Sequence, residues 1–285
     1  MISYLLYRFV IFLFSIIPLQ WIYAISNGLR WIFYRILRYR YAVVKGNIQR
    51  CFPEKSSEEQ EKIIYDFYLN FTDVILESIK GLSMSDKVIN QRYNLTNRTV
   101  LDRYIDSGQS VILAATHFTN WEWGGVSIGI DFPDKIIALF KSMNNKRVES
   151  DVVQRRSKSG LKLISTKETR ILKDLIPEGK AIIMAADQNP SNIKDAIWVR
   201  FFNVETACLH GIEKYALPFH MPVLYCEMER VSRGQYQYRF IEIWDGIEAV
   251  EPTVITQRYM SSLEKTIRKN PHNWLWTHKR WKHFR

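Results

Sequence analysis

The stretch Val111-Ile-Leu-Ala-Ala115-Thr-His117-Phe-Thr-Asn-Trp-Glu122 decides how this chain folds. Val111 to Ala115 is a short apolar run without polar alternation, the signature of a strand buried on both faces of a helix-covered sheet. The run passes directly into Thr116-His117, which places His117 at a carboxyl strand end, where open α/β folds gather their ligands. A histidine with a carboxylate five positions on, Glu122, is the minimum kit for deprotonating a hydroxyl. The imidazole takes the proton, and the carboxylate fixes its tautomer and stabilises the imidazolium. On a regular helix positions i and i+5 point about 140° apart. His117 and Glu122 therefore meet only if His117 lies in the turn and Glu122 in the first turns of the helix. A helix N-terminus beside His117 would also keep the imidazole a free base near neutral pH. Taken alone, His-x4-Glu arises often by chance, and a hydrogen-bonded structural histidine satisfies it better.

Working outward, residues 135–140, 181–186, 222–228 and 238–243 form further short apolar runs that read as strands. Helical patterns at 146–158, 167–176, 205–217 and 253–269 alternate with them. The alternation predicts an α/β fold, a mixed sheet flanked by helices. Upstream, Ser56-Ser57 followed by Gln60 marks a helix start of the capping-box kind. Ile63, Ile64, Phe67, Tyr68, Phe71, Val74, Ile75 and Ile79 then recur at helical spacing, predicting an amphipathic helix over 58–80 with a core-facing stripe. No repeat, low-complexity tract or linker divides the body.

The first fifty residues differ in kind. No acidic residue precedes Glu54, whereas Arg8, Arg30, Arg35, Arg38, Arg40, Lys45 and Arg50 do. Between Arg8 and Arg30 lies an uncharged stretch, Phe9 to Leu29, of the length a bilayer-crossing helix needs, roughly 20 residues. Pro18, Gln20 and Asn27 interrupt it, and Pro18 predicts a kink or break. A cleaved signal peptide would use Ala24-Ile25-Ser26, yet the apolar run continues to Ile36. A buried core helix is the plain alternative. The cationic cluster Arg30 to Arg50 favours an N-terminal hydrophobic membrane-anchoring helix, spanning or lying in the interface, on the cytoplasmic side. Residues 1–50 then form the anchor and basic juxtamembrane segment, and 51–285 the catalytic domain.

Composition narrows the class. At 47% hydrophobic and 24% charged over 285 residues, wholesale disorder is excluded, and the net charge of +11 calls for an anionic partner. Cys51, Cys208 and Cys226 are widely spaced and lack any Cys-x-x-Cys, which argues against a disulfide framework or zinc cluster and for buried thiols in a reducing compartment. No metal site, His-Glu-x-x-His, P-loop or dinucleotide fingerprint is present. Gly125-Val-Ser127-Ile-Gly129 matches the hydrolase elbow and makes a serine hydrolase using Ser127 the rival enzyme. That elbow needs a strand immediately before Ser127, whereas the strand ends at Ala115. The basic-aromatic tail His278 to Arg285 suggests nucleic acid, but no nucleic-acid-binding motif accompanies it. A non-catalytic membrane or nucleic-acid binder is the remaining alternative.

Five further motifs stand in order around the histidine segment, making six with it: Val43-Val-Lys-Gly-Asn-Ile48 leading to Phe52-Pro-Glu54, Arg156-Ser-Lys-Ser-Gly160, Asp187-Gln188, Phe201-Phe202 with Thr206-Ala207, and Trp274-Leu-Trp-Thr-His-Lys-Arg-Trp281. With them the chain resembles, nearly end to end, the late (secondary) lipid A biosynthesis acyltransferases. These are the lauroyl and myristoyl transferases of the glycerolipid acyltransferase superfamily marked by His-x4-Asp/Glu. The resemblance implies transfer of a fatty acyl group from an acyl carrier protein thioester to a hydroxyl of a lipid A precursor, typically on a 3-hydroxyacyl chain. It implies His117 as general base with Glu122 holding it, no metal and no cofactor. The implied partners are acyl carrier protein, the lipid A precursor and membrane lipids at the cytoplasmic face of the cell inner membrane, and no nucleic acid. A lysophospholipid or another hydroxyl-bearing lipid is the alternative acceptor. Arg156 is placed like the family arginine near the site, where a cation pairs with lipid phosphate or phosphopantetheine; a solvated helix arginine is the competing reading. Asp187, with Gln188 beside it, ends a strand near His117 and belongs to the family site, or else caps a turn. Phe202-Asn203 stands where many relatives have Phe-Phe-Gly, and asparagine tolerates the left-handed backbone of such a turn. Pro177-Glu-Gly-Lys180 resembles the Pro-Glu-Gly-Thr-Arg block of glycerophosphate-type acyltransferases but lacks the Thr-Arg and precedes its strand.

Overall fold

Pro18 divides the N-terminal apolar stretch in two. In the structure, a computed structural model describing every residue except Met1 and Phe284, α1 (Ile2–Ile16) ends ahead of this proline. Pro18 is extended (φ −61°, ψ 150°) and starts α2 (Leu19–Trp31), which continues into a π-helical turn, Ile32–Ile36. At about 1.5 Å per residue, α1 reaches only about 22 Å and α2 with its π-helical turn about 27 Å, both short of a hydrocarbon core of about 30 Å. Among the described residues no helix is long and apolar enough to cross a membrane. The expected membrane-anchoring helix is therefore not present as a spanning element, because the proline that cannot continue α1 splits its apolar length. Next, α3 (Tyr41–Cys51) buries Val44, Ile48 and Cys51 in the core, and Asn47 donates to the carbonyls of Trp276 and His278 at 2.9 Å each.

The long helix α4 (Ser57–Gly81) follows the predicted stripe. Its capping box sits one residue earlier than expected: Ser56 Oγ accepts the Glu59 amide, and the Glu59 carboxylate accepts the Ser56 amide. The chain then runs α5 (Asp86–Asn90), β1 (Tyr93–Leu95), α6 (Thr99–Asp106), β2 (Val111–Ala115), α7 (Trp121–Asp131) and β3 (Ile136–Phe140). It continues through α8 (Lys146–Ser157), β4 (Leu161–Ser165), α9 (Leu172–Leu175) and β5 (Ala181–Ala185). Last come β6 (Ile197–Phe201), β7 (Val204–Cys208), α10 (Gly211–Phe219), β8 (Val223–Ser232), β9 (Gln235–Trp244) and α11 (Val254–Lys269).

Seven strands form one sheet in the order β1-β9-β8-β2-β5-β3-β4, parallel except for the antiparallel β8–β9 pair. The sheet is thus mixed and helix-flanked, as the sequence pattern predicts. All five residues of β2 are buried, but they face different cores. Ile112 and Ala114 join the layer containing α3, α4 and α11; Val111, Leu113 and Ala115 join the layer containing α6 and α7. That is the two-residue period of a strand sandwiched between helices.

Two local expectations change, and strands β1, β4 and β6 stand where none was expected. Residues 205–208, expected as the start of a helix, form β7, which pairs with β6 as a hairpin. Its two turn residues, Phe202 and Asn203, have φ of 50° and 58°, the left-handed pair that matches the twist of a tight hairpin. Residues 167–176 break into a 3-10 turn, the four-residue α9 and another 3-10 turn. The edge strand β4 was hidden by Lys162, which points to solvent from an otherwise apolar run.

Candidate active site

The parallel register of β2 and β5 places Ala115 opposite Ala185. His117 and Asp187 each stand two residues beyond, so the sheet delivers them side by side. His117 Nδ1 lies 2.7 Å from Asp187 Oδ1, and the His117 backbone N–H donates to Asp187 Oδ2 at 2.9 Å. The Trp274 indole N–H donates to the same oxygen at 2.9 Å. Since a carboxylate only accepts, the imidazole proton is held on Nδ1 and Nε2 is the basic atom.

The turn carrying His117 is clamped from the C-terminal segment. Thr119 donates its N–H to Asn273 at 2.8 Å, Leu275 donates to the His117 carbonyl at 3.1 Å, and Phe118 bridges Trp274. The Tyr259 hydroxyl fixes the last carbonyl of β2, Ala115, at 2.7 Å. Thr119 is held at φ +50°, a strained conformation that this clamp sustains. Asn120 then caps α7 by accepting the Trp123 amide at 2.9 Å. His117 consequently precedes the helix and Glu122 lies in its first turn.

Glu122 does not hold His117 by a hydrogen bond. Its carboxylate pairs with Arg156 of α8, while its charge adds only a Coulombic pull on the imidazole. The correction is geometric: the i+5 offset turns Glu122 away along α7, whereas Asp187 arrives level with His117 from the neighbouring strand. Burial disfavours the imidazolium, but the charge and hydrogen bond of Asp187 outweigh it and raise the pKa of His117 above its ordinary value. This reverses the downward influence expected from the helix terminus alone. For Asp187 burial works upward, yet His117 and the Trp274 indole bring its pKa down to about 2. Gln188 makes no side-chain hydrogen bond among the described residues and does not line the cavity at His117.

That cavity measures about 310 Å3. His117, Glu122 and Arg156, with side chains 23–29% exposed, form its polar rim. Ile128, Leu161 and Met228, all buried, form its apolar interior. A water-accessible base above a greasy slot suits a substrate with one reactive polar end and a hydrocarbon tail.

The sequence of the family of bacterial lipid A biosynthesis acyltransferases matches residues 1–283. The chain belongs to that family. This acyltransferase is 26% identical over 250 residues to the lipid A biosynthesis palmitoleoyltransferase of Escherichia coli (strain K12), covering 86% of this chain and 80% of that one. It is 23% identical over 263 residues to the lipid A biosynthesis acyltransferase of Haemophilus influenzae, covering 90% and 83%. A lipid A biosynthesis lauroyltransferase of Escherichia coli is 20% identical over 268 residues, covering 93% and 87%.

The rival nucleophile of the enzyme loses its chemistry here. Ser127 is fully buried within α7, and its hydroxyl donates to the Tyr93 carbonyl at 3.0 Å. Two contributors escaped the sequence reading. Trp274 was visible only as part of a terminal motif, and Glu77 only as a polar residue beside the stripe of α4. Glu77 is fully buried, accepts from Asn120 at 2.7 Å, and offers its backbone carbonyl to the Trp123 indole at 2.8 Å. Its helical partners gave no sign of the distant residues it meets.

Proposed function

We propose that this acyltransferase moves a fatty acyl chain from an acyl carrier protein thioester to a hydroxyl of a lipid A precursor, with His117 as general base. The observation that carries the reading is the Asp187–His117 pair at the rim of an apolar cavity. The acceptor oxygen attacks the thioester carbonyl carbon as its proton passes to His117 Nε2. Asp187 stabilises the imidazolium. The carbon–sulfur bond then breaks, and the departing thiolate takes the proton from His117, leaving an ester and a free thiol. The thioester is already activated, so neither a covalent acyl-enzyme nor a cofactor is needed. Glu122 holds Arg156, whose guanidinium meets the phosphate of the lipid or of the phosphopantetheine arm.

Membrane association belongs to the same proposal. Leu5, Leu6, Phe9, Phe12, Trp21 and Ile25 of α1 and α2 are 44–63% exposed, an apolar surface without cover. It seats the enzyme in the interface of the inner membrane, with the basic segment from Arg30 to Arg50 against anionic headgroups. The decisive test is transfer from acyl carrier protein by membranes bearing His117→Ala, together with lipid A mass spectra from cells with and without the gene. The variant should lose transfer by two or more orders of magnitude, and one acyl chain should disappear from lipid A. Retained transfer rejects the base, and identical acyl counts point to a lysophospholipid or other acceptor.

A further inference from the structure

Helix α7 carries three glycines in its interior, Gly124, Gly125 and Gly129, although glycine is the poorest helix former after proline. Packing explains two of them. A Cβ on Gly124 would stand 3.0 Å from the Tyr93 hydroxyl and 3.1 Å from Met228 Cε. One on Gly129 would stand 3.0 Å from the Ser159 carbonyl oxygen and 3.1 Å from Leu161 Cβ. Gly125 has no such reason. A Cβ there meets nothing within 4 Å, and its φ is not left-handed. Gly28 and Gly46 are equally unhindered in their helices, but both face outward. Gly125 faces the cavity.

Its position on the helix gives the empty space a direction. Glu122, Gly125 and Ile128 follow at i, i+3 and i+6, so they line one face of α7 and all three border the cavity. Glu122 is on the polar rim and Ile128 is fully buried at the apolar end. A ligand lying along this face of α7 from the His117 end toward Ile128 would pass over Gly125. A side chain there would cost the fold nothing and would occupy the passage.

We propose that Gly125 is a specificity-determining residue for the transferred acyl chain: its missing side chain keeps open the apolar passage from the reacting centre to the interior around Ile128, Leu161 and Met228. The inference rests on the acyl-transfer reading above. It assigns the cavity to the hydrocarbon of the donor, and it explains why α7 keeps a helix-weakening residue that neither packing nor backbone geometry demands.

The test compares the enzyme with Gly125→Ala, Gly125→Leu and Gly28→Ala. Each is assayed with acyl carrier protein loaded with a short or a long saturated chain. Each methylene denied apolar contact lowers affinity about fourfold, from ~0.8 kcal/mol. Gly125→Leu should therefore reduce the ratio of long-chain to short-chain kcat/KM by on the order of tenfold, with Gly125→Ala intermediate. Gly125→Ala should melt on the order of 1–2 °C higher than the natural enzyme. Gly28→Ala, outward-facing and unhindered in α2, should melt higher as well but leave the chain-length ratio unmoved. An unchanged ratio in Gly125→Leu, or an equal loss for both chains, overturns the inference while leaving the acyl-transfer reading intact. A lowered melting temperature for Gly125→Ala overturns it as well, since the glycine would then serve packing. Absence of transfer by the natural enzyme with either donor overturns the acyl-transfer reading and this inference with it.

Discussion

At the scale of single residues, the site turns on which carboxylate serves His117. Asp187 does, and the consequence for pH has a definite sign. The imidazole must be neutral to accept a proton, and Asp187 raises its pKa. With His117 as the proposed base, the acid limb of kcat/KM should therefore lie above the pH at which an ordinary histidine titrates. Asp187→Asn removes the negative charge, so the limb should move to lower pH. An asparagine amide also donates to Nδ1 and drives the proton onto Nε2, the atom that has to be basic. The maximal rate should fall by roughly 10⁴, the loss seen when a triad aspartate becomes asparagine in a serine protease. A pH–rate profile of Asp187→Asn checks both effects; an unshifted limb with a near-natural rate would reject Asp187 as the partner of His117. Glu122 has a different duty. Its tie to Arg156 holds a cation on the cavity rim, so replacing it should act on substrate binding more than on proton transfer.

At the scale of elements, α7 depends on a neighbour for the position of its first turn. The Glu77 carboxylate on α4 accepts three hydrogen bonds, from Tyr23 at 2.7 Å, Asn120 at 2.7 Å and Tyr236 at 2.6 Å. Burial raises the pKa of Glu77, and these donors oppose that rise. Every partner is a donor, so Glu77→Gln sets an N–H against at least one of them. We expect a loss of about 1–3 kcal/mol in unfolding free energy. A displaced turn should lower kcat roughly ten- to hundredfold with little change in KM. Denaturant melts and steady-state kinetics check this, and a variant with natural stability and kcat rejects it. The same contacts show what a sequence can and cannot reveal. β2, α8 and α11 were legible because their apolar spacing is local. The nearness of Asp187 to His117 was legible from their strand ends, but that Asp187 rather than Glu122 bonds the imidazole was not, since it depends on strand register across 70 residues, and Glu77 is tied to Tyr236 across 159. The hairpin β6–β7 was misread because Val204 to Cys208 is too short for its period to distinguish strand from helix.

At the scale of the whole molecule, the N-terminal helices join the catalytic body through charge and apolar burial together. Asp73, fully buried in α4, accepts from Ser26 of α2 and from Arg230 and Arg233 of the β8–β9 hairpin, at 2.5–2.6 Å for the closest contacts. Farther along, Tyr7 of α1 donates to Asp151 of α8 at 2.8 Å. Helix α8 also supplies Val152, Val153 and Arg156 to the cavity. The exposed apolar surface of α1 is thus one helix away from the cavity, fastened to it by a polar contact rather than a flexible tether. Phe9 and Phe12 are 56% and 60% exposed, so most of each ring lies outside the packed body and their loss disturbs little packing. Replacing both with glutamate should therefore leave the thermal midpoint unchanged. It should weaken binding to vesicles containing anionic lipid by more than tenfold, because two aromatic anchors go and two repelled charges arrive. Transfer to a membrane-embedded acceptor should fall with binding, whereas transfer to a short-chain acceptor in detergent should persist. Vesicle sedimentation alongside both assays separates the cases: undiminished sedimentation by the double variant would mean that α1 is not the membrane seat.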